Sequence, residues 1–150
     1  MNQLPAIHAS AVLVGARAVL IRGAAGSGKS RLAFALIQAG QTGALPFGRL
    51  VGDDRVHVEA VHGRLVVRPA ETLKGLIEVR GLGIRCVLFE PLAVVGLVID
   101  LGAADAERVP APDSAVTEVA GIALPRLAVA ACTDALPLLF AALRTVESGR

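Results

Sequence analysis

The sequence predicts an α/β fold with a mixed, strand-rich sheet and few helices. Three observations carry this prediction. A strand-like run, Arg17–Arg22, leads into a glycine-rich loop, Gly23–Ser30, and then into an amphipathic stretch, Ser30–Gly40. The longest apolar run, Leu92–Ile99, has the length and composition of a buried strand. Between and after these lie short runs with strand-like patterning, and helical spacing returns only near the C-terminus, so strand and helix do not alternate regularly.

The elements follow in order. Ala6–Val14 reads as one strand, Gly15-Ala16 as a turn, and Arg17–Arg22 as the return. In the helix after the glycine loop, Leu32, Ala33, Leu36 and Ile37 share one apolar face, and Gly40 sits where a C-terminal cap belongs. Gln41–Gly48 is a loop punctuated by Gly43, Pro46 and Gly48. Arg49–Gly52 is a short strand that ends in Asp53-Asp54. Arg55–Val61 alternates polar and apolar residues, Gly63 marks a turn, and Leu65–Val67 returns, which predicts a hairpin. Pro69–Lys74 is irregular or a single helical turn. Leu76–Val79 is strand-like and runs into Arg80–Gly83. Leu92–Leu101 is the central strand, and Gly102–Ser114, with Pro110 and Pro112, is a long exposed connection. Ile122–Val129 is a further strand. Thr133–Val146 is a helix with Thr133 as its cap and Pro137 in its first turn.

Gly23, Ala24, Ala25, Gly26, Ser27, Gly28, Lys29 and Ser30 fill the phosphate-binding pattern G-x-x-x-x-G-K-[ST]. The glycines let the backbone curl until several N–H groups face one anion. The following helix adds the positive end of its dipole. Lys29 supplies a compact charge for the outer phosphates, and the Ser30 hydroxyl is placed to ligate Mg²⁺. The chain has only two lysines, Lys29 and Lys74, and one falls at this position. The pattern predicts a binder of ATP or GTP.

Composition narrows the rest. A chain of 150 residues predicts one domain, 1–150, with room for a sizeable core. Hydrophobic content of 54% with 3% aromatic residues predicts a core of Val, Leu, Ile and Ala. The net charge of +2 comes from scattered arginines without an aromatic-interleaved patch, which argues against nucleic acid. Cys86 and Cys132 lack metal-ligand spacing and read as reduced thiols of a cytoplasmic protein. The start, Met1–Pro5, has neither the basic nor the apolar part of a signal peptide. Leu92–Ile99 is far shorter than the ~20 residues that span a bilayer, so no membrane is expected.

Phosphoryl transfer needs an acid that holds Mg²⁺ and a base that faces the acceptor. Asp53-Asp54 closes a short apolar strand, where open sheets gather ligands. Two adjacent carboxylates can divide the work, one toward the metal and one toward the acceptor hydroxyl. Glu78, inside Leu76–Val79, needs a cation, either Arg80 or a metal. Gly81 and Gly83 allow close backbone approach. His8 and Arg108 are, on residue type alone, a structural or surface histidine and a solvated arginine, although an arginine on a loop can clamp a phosphoryl group.

These pieces in this order resemble the catalytic domain of bacterial HPr kinase/phosphorylase. The matching segments are Ile7-His8, Gly23–Ser30, Leu50–Val56 and Ile77-Glu-Val-Arg-Gly-Leu-Gly-Ile84. The resemblance implies a P-loop kinase-like fold and an ATP- and Mg²⁺-dependent protein serine kinase acting on HPr, the phosphocarrier of the sugar phosphotransferase system. Such a kinase would tie carbon or nitrogen metabolism to energy state. The resemblance further implies that Lys29 and the loop backbone hold the nucleotide, that Ser30 and Glu78 ligate Mg²⁺, and that Asp54 is the base, assisted by Asp53. His8 matches an active-site histidine and Arg108 a family arginine. Family members form homohexamers in which a neighbour helps to bind HPr, and the apolar C-terminal helix could serve such assembly or the core.

Several positions depart from the family pattern. Only residues 1–22 precede the loop, as in the short, single-domain branch. Arg31 replaces a common glutamate. The stretch tied to the reverse, phosphorylase reaction is reduced to Leu124-Pro-Arg-Leu127, which leaves kinase activity as the expected half. The motifs define the donor site and not the acceptor, so a P-loop kinase with a small-molecule acceptor and a non-catalytic ATP sensor stand as alternatives. A general NTPase is weaker, because no arginine finger or water-positioning residue is evident.

Overall fold

The strand β3 (Arg17–Arg22) is buried on both sides, and its alternation sets the layering. Val19 and Ile21 face one core, while Ala18 and Leu20 face another. The computed structural model describes residues 5–145. Ahead of β3 lie β1 (Ala6–Ile7) and β2 (Ala9–Val14). After it come helix α1 (Lys29–Thr42), β4 (Gly48–Gly52), β5 (Val56–Val61), β6 (Arg64–Pro69), β7 (Leu76–Val79) and β8 (Gly83–Cys86). The chain continues through β9 (Ala93–Leu101), β10 (Val116–Val119), β11 (Ile122–Val129) and helix α2 (Ala135–Arg144). Single 3₁₀ turns occupy Glu71–Leu73 and Pro112–Ala115.

Among the described residues, nine strands form one mixed sheet in the order β1-β5-β6-β9-β3-β2-β4, with β11 beside β9 and β10 beyond β11. The strands β7 and β8 form a separate hairpin. The central strand β9 runs parallel to β3 and β11, and its start pairs antiparallel with the middle of β6. Because β2 is antiparallel to both β3 and β4, the strands β3, β4, β9 and β11 all point the same way. Their carboxyl ends therefore share one edge, where Gly23, Asp53 and Gly102 begin the loops. Ligands of open α/β sheets gather at such an edge.

Helices α1 and α2 cover one face. Leu32, Leu36 and Leu139 pack there on Val12, Val19, Ile21, Leu50 and Ile99. On the other face the sheet curls, and Ala11, Leu20 and Val51 meet Leu65, Val67 and Val98. Each fully buried Leu or Ile adds about 1.5–3 kcal/mol. Strand β9 serves both cores by a bulge. Its pairing with β3 jumps from Ala18↔Val95 to Val19↔Leu97, so Gly96 is the extra residue. The alternation flips there: Val95 and Val98 face one core, Leu97 and Ile99 the other.

Several sequence expectations are corrected. The first strand divides at His8, which bends the chain between β1 and β2. Helix α1 does not end at Gly40 but runs to Thr42, capped by Gly43 with φ 84°. Gly40 instead lies against β4: a Cβ there would sit 2.3 Å from the Gly48 nitrogen. The C-terminal helix begins at Ala135, not Thr133. Its cap is Asp134, whose carboxylate accepts the Leu136 N–H at 3.1 Å. The proposed helix end at Val146 lies outside the described residues, as does Met1–Leu4 of the expected leader-free start. Strand β10 was not expected. The free Cys86 and Cys132 are exposed, and no helix among the described residues is long and apolar enough to cross a membrane.

Candidate active site

Helix α1 starts at Lys29 because Gly28, at φ 103°, turns the chain into it with no capping side chain. Gly26, at φ 80°, sets the preceding curl. Both conformations are unfavourable for a residue with a Cβ. Lys29 is only 7% exposed. Its Nζ donates to the carbonyls of Gly23 at 2.9 Å and Ala24 at 3.2 Å, which places the ammonium inside the loop. The Ser27 hydroxyl is buried there without a partner.

Strand β4 delivers the acidic pair. Asp53 is 5% exposed and Asp54 is exposed. The separation comes from the backbone. Asp54 takes the left-handed conformation, φ 68°, and the Arg55 N–H closes back on the Asp53 carbonyl at 2.8 Å. Asp53 thus turns inward while Asp54 stays at the surface. The Ser30 hydroxyl lies 2.8 Å from each Asp53 carboxylate oxygen. Asp53 also accepts the Ser10 hydroxyl at 2.6 Å and the Glu78 backbone N–H at 3.1 Å.

The last contact ties the β7–β8 hairpin to the pair. In β7 Ile77 is buried, so alternation turns the exposed Glu78 outward. No ion pair joins Glu78 to Arg80 among the described residues. The loop, the first turns of α1, the acidic pair and the hairpin enclose an open cavity of about 900 Å³. Gly26–Ser30, Asp53, Asp54 and Glu78 all line it.

His8 and Arg108 do not line that cavity. His8 is exposed, between Ile7, which pairs with Val56, and Ala9, which pairs with Arg22. This register sets it at the same sheet edge, close in the chain's course to the acidic turn. Arg108 is exposed on the connection after β9. Its side chain makes no hydrogen bond or ion pair among the described residues.

Two groups of residues were missed from sequence. Ser10, fully buried in β2, bonds the acidic pair. An ionic cluster sits at the ends of the three parallel central strands. Arg22 grips Asp100 in bidentate fashion at 2.7 and 2.8 Å. Arg126 donates to Asp100 at 2.6 Å and to Asp105 at 2.8 and 3.0 Å. Burial pushes the Asp100 carboxyl up, but hydrogen bonds from Arg22 and Arg126 more than offset this and hold it below the usual carboxylate range. The Arg126 hydrogen bond likewise holds Asp105 low, and the two carboxylates raise Arg126 further. The adjacency of Arg22 to Gly23 was the available signal, but its partner lies 78 residues away.

The residues present suit a nucleotide phosphate and Mg²⁺. Glycine-formed curvature, an inward ammonium and an unpartnered hydroxyl form an anion cradle. The Ser30 and Asp53 oxygens are 2.8 Å apart, close to the ~2.9 Å between neighbouring oxygens around octahedral Mg²⁺. Mg²⁺ needs only one or two protein carboxylates beside phosphate and water, and no group of three or more His, Cys, Asp or Glu side chains placed to hold a metal occurs among the described residues.

Comparison with known proteins agrees with this geometry. A family model, the HPr serine kinase C-terminal domain, matches residues 1–89. The HPr kinase/phosphorylase of Clostridium beijerinckii is 40% identical over 78 residues, 52% of this chain and 24% of that protein. That of Streptococcus thermophilus is 43% identical over 79 residues, 52% of this chain and 23% of that protein. The aligned part thus spans about a quarter of these curated relatives. The structure of the HPr(Ser) kinase/phosphatase from Coxiella burnetii superposes with a TM-score of 0.71 at 27% identity, covering 93% of both chains.

Proposed function

The chain belongs to the HPr serine kinase C-terminal domain family, and from that premise we propose that it is an ATP- and Mg²⁺-dependent kinase. Its acceptor is a serine on an HPr-like phosphocarrier protein, and residues 1–150 act as one catalytic domain. The observation that carries this is the split acidic pair beside the P-loop. Asp53 is buried against the Ser30 hydroxyl, whereas Asp54 is exposed in the same cavity. A nucleotide sensor needs the first and has no use for the second.

In this reading, the loop amides and Lys29 hold the outer phosphates once the ammonium leaves the Gly23 and Ala24 carbonyls. Ser30, Asp53 and Glu78 hold Mg²⁺, which when bound neutralises phosphate charge. The family resemblance implies Ser30 and Glu78 as metal ligands, and the contact of the Ser30 hydroxyl with the Asp53 carboxylate supports including Asp53 with them. Asp54 accepts the proton of the acceptor hydroxyl as the oxygen attacks the terminal phosphorus, whose bond to the bridging oxygen breaks so that ADP leaves. His8 and Arg108 act from outside the cavity lining, at the rim. Arg126 is held by Asp100 and Asp105, which supports a kinase without the reverse phosphorylase. A homo-oligomer, hexameric by family resemblance, agrees with the exposed Leu82, Ile84 and Leu88. A cytoplasmic location suits an acceptor of this class.

The test is intact-mass spectrometry of an HPr-like protein incubated with this chain, ATP and Mg²⁺. One added phosphoryl group on serine, absent with Lys29→Ala and with Asp54→Asn, is the expected result. No transfer alongside clear ATP binding would move the assignment to another acceptor or to a sensor.

A further inference from the structure

We propose that Ser10 is a positioning residue for phosphoryl transfer, one hydroxyl that sets the orientations of both Asp53 and Asp54; the proposal rests on the kinase reading above. Ser10 is fully buried in β2 between Ala9 and Ala11, themselves fully buried. A buried hydroxyl is unfavourable unless its hydrogen-bonding capacity is met. Here both halves are used. The Ser10 proton goes to Asp53 Oδ1 at 2.6 Å, and the Ser10 oxygen accepts the Asp54 N–H at 3.2 Å.

The two bonds do different things. The first fixes the rotation of the inward carboxylate, whose other oxygen takes the Glu78 N–H. The second anchors the backbone of a residue in the left-handed region, φ 68°. A non-glycine residue stays in that region only where its surroundings hold it. The Asp54 carboxylate leaves the chain from that anchored backbone. Ser10 touches neither phosphate nor acceptor, and its proton stays in place throughout. If Ser10 only filled space, alanine would serve, as it does on either side.

The experiment has an arm that needs no variant. In the native protein, the Asp54 amide should exchange with solvent at least tenfold more slowly than an unbonded amide of that sequence, although Asp54 is exposed. Free exchange there would overturn the proposal. Ser10→Ala should keep its melting temperature within a few degrees and its affinity for ATP without Mg²⁺ within twofold. It should release the Asp54 amide, and it should lower the Mg²⁺-dependent gain in ATP binding and the turnover number by roughly 10–100-fold, the usual range for partners of metal ligands. The KM for the acceptor protein should stay within twofold. Ser10→Thr, which keeps the hydroxyl, should recover most of the loss. Native amide exchange and native Mg²⁺ dependence in Ser10→Ala would also overturn the proposal. A native protein that transfers nothing would sink the kinase reading, and the exchange and Mg²⁺ arms would still decide whether Ser10 orients the pair.

Discussion

Lys29 and Asp54 bear on separable steps. Lys29→Ala removes the only ammonium that lines the cavity among the described residues, so nucleotide affinity and transfer should fall together in titration and turnover assays. Asp54→Asn keeps the shape and the backbone bond to Ser10 but removes the proposed base. ATP affinity should stay within about twofold while transfer falls by roughly 10²–10⁴-fold, the usual weight of a general base. Normal transfer by Asp54→Asn would refute the base assignment. These residues were legible in the sequence because their chemistry is local. A loop of fixed spacing carries Lys29 and Ser30, and Asp53-Asp54 follows an apolar strand. Their division of labour was legible only in outline, since the left-handed turn at Asp54 is not written in its residue type. Ser10 was invisible for a plainer reason. Its partner is 43 residues away, and only the sheet register brings them together.

At the scale of elements, helix α1 meets β4 at a point with no spare room. A Cβ on Gly40 would approach the Gly48 nitrogen at 2.3 Å, and backbone cannot yield as a flexible side chain can. Gly40→Ala, which on propensity alone should stabilise a helix interior, is therefore expected to destabilise by about 1–3 kcal/mol. Urea denaturation at neutral pH measures this. Reading Gly40 as a cap was reasonable from sequence, because a glycine after an apolar stripe serves either role and only the partner backbone decides. The connection after β9 supplies a second case. Arg126 reaches across it to Asp105 and to the Ser114 carbonyl, while Asp100 anchors the cluster. Asp100 is held below the usual carboxylate range, so its contribution is fully present above the unfolded value of about 3.9. It is lost as pH falls through the lower folded value. Limited proteolysis should show cleavage within residues 102–114 rising below about pH 4. In Asp100→Asn the same cleavage should already be raised at pH 7.

For the whole molecule, ligand binding should report on the fold. A nucleotide at 100 times its dissociation constant adds about 2.7 kcal/mol to the stability of a two-state protein. The melting temperature should rise with ATP and Mg²⁺ and stay flat in Lys29→Ala. The mixed sheet was legible because hairpin signals at Gly15 and Gly63 demand antiparallel pairs, while the glycine loop demands a strand–helix unit. The curl of the sheet and the bulge at Gly96 were not. They arise where two cores compete for the side chains of β9, and a continuous apolar run hides which residue faces which.

The position of β9 has a consequence for how the chain is made. It lies between β3 and β6, yet both neighbours are synthesised long before it. Until β9 emerges from the ribosome, no strand pairing joins β1-β5-β6 to β3-β2-β4, and each has an open inner edge. Open edges invite pairing with other chains. The stretch matched by the family, residues 1–89, holds the whole phosphate loop and acidic pair but stops short of that strand. A fragment ending at Leu92 should therefore show no cooperative unfolding transition and should aggregate, although every residue assigned to the nucleotide and the metal is present. Translation would have to pass the middle of this chain before its earliest-made motif could bind anything.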